Sequence, residues 1–286
     1  MQIGIPILPF KDLSLSKIIK LANYLNISCF EFASDCFFNG ITDTELEKIT
    51  KMIPNSDNSL HAPFYHSHNL DLSSPNLNFS EFLDKVNLWK DPYHINKIIV
   101  HPPQDPNGSE ELLIQRLRHL EEINISPFLE NLPELDWLEF NKLINKCESN
   151  CTKVGICFDF SHNVIGYGLE GLNNVPKFVF DKFEQNLGHF HLSACSYSED
   201  LHLAFSKIPT FSEEILPKIF QFLTHHNFHR KDLNLILEIQ PRNKQEISDL
   251  LNSYLTTSKL IGGRYYWTRK VRVSLLGPLI KRKLGN

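Results

Sequence analysis

The chain has 286 residues, 42% of them hydrophobic and 22% charged, with a formal net charge of −4. This length accommodates either one α/β barrel or two smaller domains with a substantial core. The slightly acidic charge excludes a strongly basic coat over the whole chain, so an anionic partner would have to be bound locally.

The amino-terminal stretch MQIGIPILPFKD has no basic segment followed by an apolar run and a small-residue cleavage site. No apolar run approaches the roughly 20 residues that a membrane-spanning helix needs. The six cysteines are scattered, which favours buried free thiols in a reducing compartment over a disulfide framework. We therefore expect a cytoplasmic protein without a membrane span.

Short apolar runs rich in β-forming residues recur along the chain and predict eight strands. They are IGIPIL (3–8), SCFEFA (28–33), SLHAPF (59–64), KIIVHPP (97–103), SPFLENL (126–132), VGICFDF (154–160), LGHFHLS (187–193) and LNLILEI (233–239). Between them lie segments with helical periodicity, such as LSKIIKLANYL, FSEFLDKVNLW, EELLIQRLRHLEE and KQEISDLLNSYL. The segment NNVPKFVFDKFEQ has a weaker pattern and predicts a short or irregular helix.

Apolar strands that alternate with helices about every 30 residues indicate a parallel sheet covered by helices. Eight such units predict a single (β/α)8 TIM barrel. A doubly wound open sheet is the alternative, but IPILPFKDLS lacks the glycine-rich phosphate turn expected after its first strand. We assign residues 1–260 to the barrel.

Residues 261–286 form a predicted basic C-terminal extension. From Arg264 onward it contains seven Lys and Arg residues and no Asp or Glu. Such a segment is either a solvated tail or flap, or a contact to phosphate, anionic lipid or a partner.

Polar residues of metal-binding type follow the predicted strands. In a TIM barrel these strand ends and their loops form the catalytic face. Five histidines and four carboxylates are expected to converge there: His61, His101, Glu130, Asp159, His162, His191, Asp200, His202 and Glu238. Mixed imidazole and carboxylate ligands suit zinc, manganese or iron. The number of ligands predicts two or three ions, an arrangement that supports phosphoester cleavage.

These positions lie in the segments HAPF, VHPP, LEN, DFSHNVIGY, HLS, DLH and LEI. Through them the chain resembles the xylose-isomerase-like barrel superfamily and, within it, the endonuclease IV family (AP endonuclease family 2). The resemblance covers roughly residues 55 to 241. It implies a trinuclear zinc site built from the nine residues above, with Glu130 as a bridging ligand and Glu238 also placed to activate water. Both are our predicted catalytic residues.

The same resemblance suggests substrate contacts. Phe64 stands where the family has a tyrosine that enters the DNA near the lesion, and Tyr65 follows it. Arg242, after the eighth strand, is the local candidate for a phosphate contact. The predicted substrate is therefore a phosphoester, with damaged DNA as the specific case that the resemblance implies.

Two other functions remain open. Isomerases and epimerases of the superfamily use a single divalent ion, such as Mn²⁺, whose ligands would match Glu130, Asp159, His191 and Glu238. In that case Glu130 and Glu238 would act as acid and base on a small sugar or sugar phosphate. The third possibility is a binding or regulatory protein that retains the ligands without catalysis. The sequence does not decide the oligomeric state.

Overall fold

The structure is a computed structural model that describes residues 1–7, 15–27, 29–34, 43–53, 57–150, 153–239, 244–262, 270–271 and 273–274. Its centre is the predicted closed barrel of eight parallel strands. The barrel strands are β1 (Gln2–Ile7), β2 (Cys29–Ala33), β3 (Asn58–His61), β4 (Ile95–Val100), β5 (Ser126–Glu130), β6 (Gly155–Asp159), β7 (Gly188–Leu192) and β10 (Asn234–Leu237).

Successive strands are neighbours around the barrel, and β10 closes it by pairing with both β7 and β1. Every pair is parallel, so all the carboxyl ends of the strands lie at one rim. Two further strands, β8 (Ala194–Cys195) and β9 (Asp200–Leu203), form an antiparallel hairpin after β7. The predicted (β/α)8 fold is thus confirmed.

Helices cover the outside of the barrel. Their bounds are α1 (Leu15–Tyr24), α2 (Asp43–Thr50), α3 (Tyr65–His68), α4 (Phe79–Trp89), α5 (Glu110–Glu122), α6 (Trp137–Glu148), α7 (Phe160–Tyr167), α8 (Lys177–Glu184), α9 (Leu216–His225) and α10 (Lys244–Leu260). Local chemistry sets several of their first residues. Ser109 caps α5 by accepting the backbone N–H of Leu112, and Asp136 caps α6 by accepting those of Leu138 and Glu139.

The core has two layers. Between strands and helices, the buried rings of Phe158, Phe160 and Phe190 pack against one another, with centroids 5.1–6.4 Å apart. Inside the barrel, Phe128 and Cys157 belong to a smaller buried apolar cluster. Beside this inner cluster lies the buried His189, whose ring centroid is 6.3 Å from that of Phe128.

Several strands are shorter than the apolar runs that predicted them: β3 ends at His61 rather than at residue 64, and β4 ends at Val100 rather than at residue 103. The segment after β6 forms the helix α7. The residues after β7 form the hairpin β8–β9. Most of the predicted C-terminal extension, including 263–269 and 275–286, lies outside the described residues. Within the described ranges, no helix is long and apolar enough to cross a membrane.

Candidate metal centre

The nine predicted ligands lie together at the carboxyl-end rim of the barrel. Six belong to barrel strands or directly follow them: His61 in β3, His101 after β4, Glu130 in β5, Asp159 in β6, His191 in β7 and Glu238 after β10. His162 lies in the first turn of α7, and Asp200 and His202 lie on β9. The hairpin folds over the rim and brings the last two residues to the others.

Glu130 lies at the centre of this group and is 1% exposed. Its Oε2 is 3.4 Å from Nε2 of His61 and 3.3 Å from Nε2 of His101. Its Oε1 is 3.3 Å from Nδ1 of His162 and 3.4 Å from Nδ1 of His191. Glu130 thus contacts four of the five predicted histidine ligands, as a bridging carboxylate would.

The remaining carboxylates extend the group on both sides. Oδ2 of Asp200 lies 3.0 Å from Nε2 of His202 and 3.5 Å from Nε2 of His162. Oε2 of Glu238 lies 3.2 Å from Nδ1 of His191. Ligand atoms bound tetrahedrally to one zinc ion, at about 2.0–2.1 Å from it, are roughly 3.3 Å apart. The separations at this rim match that spacing.

Four of the histidines are oriented in the same way. Each places Nδ1 near an oxygen atom, and Nε2 faces Glu130 or Asp200. The oxygens, 2.8–3.2 Å from Nδ1, are the carbonyl of Ala62 for His61, Oε1 of Gln104 for His101, the carbonyl of Asn131 for His162 and the carbonyl of Glu238 for His202. A proton on Nδ1 leaves the Nε2 lone pair for an ion, the usual arrangement of metal-binding histidines.

Electrostatics couple these residues strongly. Burial disfavours the charge of Glu130, but the surrounding histidines, His191 foremost, hold its pKa well below its usual range. Burial also opposes protonation of His61, yet its hydrogen bond to Glu130 and the charge of that carboxylate raise the pKa of His61 to about 9. Burial, reinforced by the charge of Asp200, raises the pKa of Asp159 to about 7 although His162 opposes the shift.

Several buried polar atoms at this centre make no hydrogen bond of regular geometry. They include Oε2 of Glu130, Oδ2 of Asp159 and both ring nitrogens of His191. Buried polar atoms are nearly always paired, so a group of unpaired ones indicates a missing ligand. Imidazole nitrogens and carboxylate oxygens at this spacing fit zinc or a similar divalent ion.

Glu31 is a further polar residue that sequence reasoning missed. It lies on β2, is 2% exposed, and contacts His191 and His189 below the rim. Glu31, His61, His191 and Glu238 each offer a ligand atom within 4.8 Å of the others. An acidic residue in the apolar run SCFEFA was the available signal.

A cavity of about 730 Å³ opens above the centre, within the size range of small-molecule sites. Phe64 lines it, and its ring centroid lies 5.4 Å from that of His61 and 5.1 Å from that of His101. Tyr65 begins α3 and is not among the lining residues. Arg242, the predicted phosphate contact, lies outside the described residues.

Fold and site together define a (β/α)8 barrel with a histidine and carboxylate centre, suited to divalent metal, at its carboxyl-end rim. No protein-family model matches the chain, and neither does any curated protein. Solved structures do match, and the three described next are covered over 98–99% of their length.

Three of these similar structures are representative. Endonuclease IV from Thermus thermophilus superposes with a TM-score of 0.57 at 14% identity, over 90% of this chain and 98% of that one. A xylose isomerase domain protein from Alicyclobacillus acidocaldarius superposes with a TM-score of 0.62 at 12% identity, over 92% of this chain and 98% of that one. D-Psicose 3-epimerase from Clostridium cellulolyticum superposes with a TM-score of 0.54 at 12% identity, over 98% of this chain and 99% of that one. The likeness to xylose-isomerase-like barrels, endonuclease IV included, is therefore confirmed at the level of fold.

Proposed function

We propose that the protein is a metal-dependent phosphoester hydrolase that binds two or three zinc ions at the barrel rim. The observation that carries this proposal is the set of residues beyond the four that a single-ion isomerase would need. His61, His101, His162 and His202 each turn Nε2 toward a carboxylate of the centre. A single ion in a four-residue site leaves these orientations without a purpose.

The ligands divide between Glu130 and Asp200. Glu130 would bridge ions that are also held by His61 and His101, while Asp200 with His162 and His202 would hold an ion near the hairpin. Bound zinc supplies a water that ionises near neutral pH and a positive charge for phosphoryl oxygens.

Glu238 is the residue we assign to accept the proton of the attacking water. Its side chain is 14% exposed and lines the cavity, whereas that of Glu130 is 1% exposed. Burial favours the neutral acid, but the charge and hydrogen bond of His191 lower the pKa of Glu238. Glu238 is therefore ionised near neutral pH and able to take up a proton.

A sugar or sugar-phosphate isomerase or epimerase is the second candidate. Two observations favour it: the compact group Glu130, Asp159, His191 and Glu238, and a cavity whose described lining contains no lysine or arginine. In this mechanism one divalent ion, such as Mn²⁺, would orient the substrate, and Glu130 and Glu238 would move a proton next to its carbonyl.

The test combines metal analysis with two sets of substrates. Untagged protein, purified without added metal, is analysed by plasma mass spectrometry. It is then assayed on an oligonucleotide duplex with one abasic site, on a small phosphodiester, and on ketohexoses. Two or three zinc ions per chain and phosphodiester cleavage support the hydrolase. A single ion with sugar epimerisation and no cleavage supports the second candidate, and cleavage of the small ester alone would exclude damaged DNA.

A further inference from the structure

Below the metal centre, the barrel interior holds a second polar cluster formed by Glu31, Ser59, His189 and His191. All four residues are buried. Glu31 reaches from β2 to β7, where Oε1 lies 3.0 Å from Nε2 of His191 and Oε2 lies 3.2 Å from Nε2 of His189. The Ser59 hydroxyl donates a hydrogen bond to Oε2 at 2.8 Å. TIM barrel interiors are normally filled by branched apolar side chains, so a carboxylate here calls for a specific role.

His191 differs from the other four rim histidines in the nitrogen it presents. It faces Glu130 and Glu238 through Nδ1. In each of the others Nδ1 lies 2.8–3.2 Å from a backbone or amide oxygen, and Nε2 faces a carboxylate. Nδ1 of His162 is also 3.3 Å from Glu130, but it lies closer, at 2.8 Å, to the carbonyl of Asn131. If Nδ1 of His191 is to bind an ion, its proton must reside on Nε2. The residue placed to accept that proton is Glu31.

We infer that Glu31 is a positioning residue of the metal centre: it accepts the Nε2 proton of His191 and so directs the Nδ1 lone pair toward Glu130 and Glu238. A carboxylate behind a ligating histidine fixes the tautomer and ring orientation and makes the ligand more basic. In this structure the ring is not yet aligned with either carboxylate, since both its nitrogens lack a hydrogen bond of regular geometry. Both nitrogens are nevertheless within 3.0–3.4 Å of a carboxylate oxygen, since Nε2 lies near Glu31 and Nδ1 lies near Glu130 and Glu238.

Charge supports the same role. Glu130, Asp159, Asp200 and Glu238 supply four carboxylates to the centre, and Glu31 adds a fifth that is not one of the nine predicted ligands. Because it is buried among imidazoles rather than exposed to water, its field at the centre is weakly screened. The inference rests on the proposed function for the ion itself, whereas the assignment of the His191 proton does not depend on a bound ion.

The experiment uses the full chain labelled with ¹⁵N-histidine. Long-range ¹H–¹⁵N spectra, recorded with chelator and with zinc, report which ring nitrogen of His191 carries the proton, and His191→Gln assigns the signals. The variants are Glu31→Gln, which keeps an acceptor oxygen without the charge, and Glu31→Leu, which removes both. Ser59→Ala is the matched control, because it alters the same carboxylate but does not contact His191. Zinc dissociation constants are measured by competition with a fluorescent chelator.

In the wild type we expect the proton on Nε2. Glu31→Leu should shift it toward Nδ1, and Glu31→Gln should retain it. Both should weaken zinc binding by about 10- to 100-fold, as is typical when such a partner is removed. Ser59→Ala should leave the tautomer unchanged.

An unchanged His191 spectrum in folded Glu31→Leu overturns the inference, and so does the loss of one whole zinc equivalent in Glu31→Gln, which would make Glu31 a ligand instead. Wild-type protein that binds no divalent ion would refute the proposed function. In that case, loss of the Nε2 proton of His191 in Glu31→Leu would still support the contact between Glu31 and His191.

Discussion

Oδ1 of Asp159 accepts the backbone N–H of His162 at 2.6 Å, whereas Oδ2 of the same carboxylate is buried without a hydrogen bond. The first contact caps α7 at its amino end. Through one of its carboxylate oxygens, Asp159 also belongs to a group with Glu130, His191 and Glu238 whose ligand atoms lie within 4.8 Å of one another. One residue therefore begins the helix that carries His162 and also faces the metal centre, so a helix cap and a metal ligand are compatible roles for Asp159.

The two roles of Asp159, helix cap and metal ligand, can be tested separately by replacing it. Asp159→Asn retains an oxygen that can cap α7 but removes the charge, so we expect a folded protein with fewer bound zinc ions. Asp159→Ala should in addition lose the cap, at a cost of about 0.5–2 kcal/mol in the free energy of unfolding. Plasma mass spectrometry and urea unfolding in chelator measure the two effects. Undiminished zinc content in Asp159→Asn would contradict the ligand role.

The sequence predicted the barrel because its strands are apolar at nearly every position and alternate with amphipathic segments. It also predicted that residues such as His61 and Glu238 would meet, since the parallel topology brings the carboxyl ends of all strands to one rim. Both predictions depend on chain order and periodicity, which a single sequence displays.

Contacts across the barrel were not predictable in the same way. Glu31 approaches His189 and His191 although β1 and β10 separate β2 from β7 around the barrel, and the stagger of the strands decides which interior side chains meet. The helix α7 is not evident from the sequence because its eight residues include only a short apolar stretch around Val164. Its beginning depends on the Asp159 cap, which requires coordinates to recognise.

A pH dependence follows from His61. Burial opposes its protonation, but the hydrogen bond and charge of Glu130 outweigh burial and raise its pKa to about 9. The folded state binds this proton more tightly than the unfolded state, whose histidine titrates at about 6.5. The stabilisation is therefore complete below a pH of about 6.5 and is lost as the pH rises to about 9, by about 3 kcal/mol at most. Urea unfolding in chelator across this pH range should show the decline.

Two variants make that measurement specific. His61→Asn should reduce the decline in the free energy of unfolding between the unfolded-state and folded-state pKa values of His61. His119→Asn, which removes an exposed histidine paired with Glu122, should leave it intact. When zinc is added, the ion takes the place of the proton on His61, so the zinc-loaded protein should keep its free energy of unfolding over the same pH range. Equal slopes for wild type and His61→Asn would refute the assignment.

Packing around Gly188 gives a prediction that is independent of metal. A Cβ atom at this position would lie 1.8 Å from Cδ1 of the buried Phe183 ring. Gly188→Ala should therefore force the ring to move and lower the free energy of unfolding by about 1–3 kcal/mol. Phe183→Leu, which removes the obstructing ring atoms, should reduce the effect of the alanine when the two are combined. If the losses in free energy of unfolding simply add in the double variant, the alanine at 188 and the ring of Phe183 do not compete for this space.

Replacing His202 distinguishes the two proposed reactions, phosphoester hydrolysis and sugar epimerisation. His202 is one of the nine predicted ligands but not one of the four residues of a single-ion site. Its Nε2 lies 3.0 Å from Asp200, and its Nδ1 lies 3.2 Å from the carbonyl of Glu238. His202→Asn should lower zinc content and reduce phosphodiester cleavage at least ~100-fold, about 3 kcal/mol in activation free energy. It should leave Glu130 and His191 in place, so a single-ion epimerase would retain most of its activity. His191→Asn is the matched variant, since it removes a ligand common to both sites and should abolish either reaction. Full phosphodiester cleavage by His202→Asn would show that the ion held near Asp200 is not needed, and the multinuclear mechanism would fail.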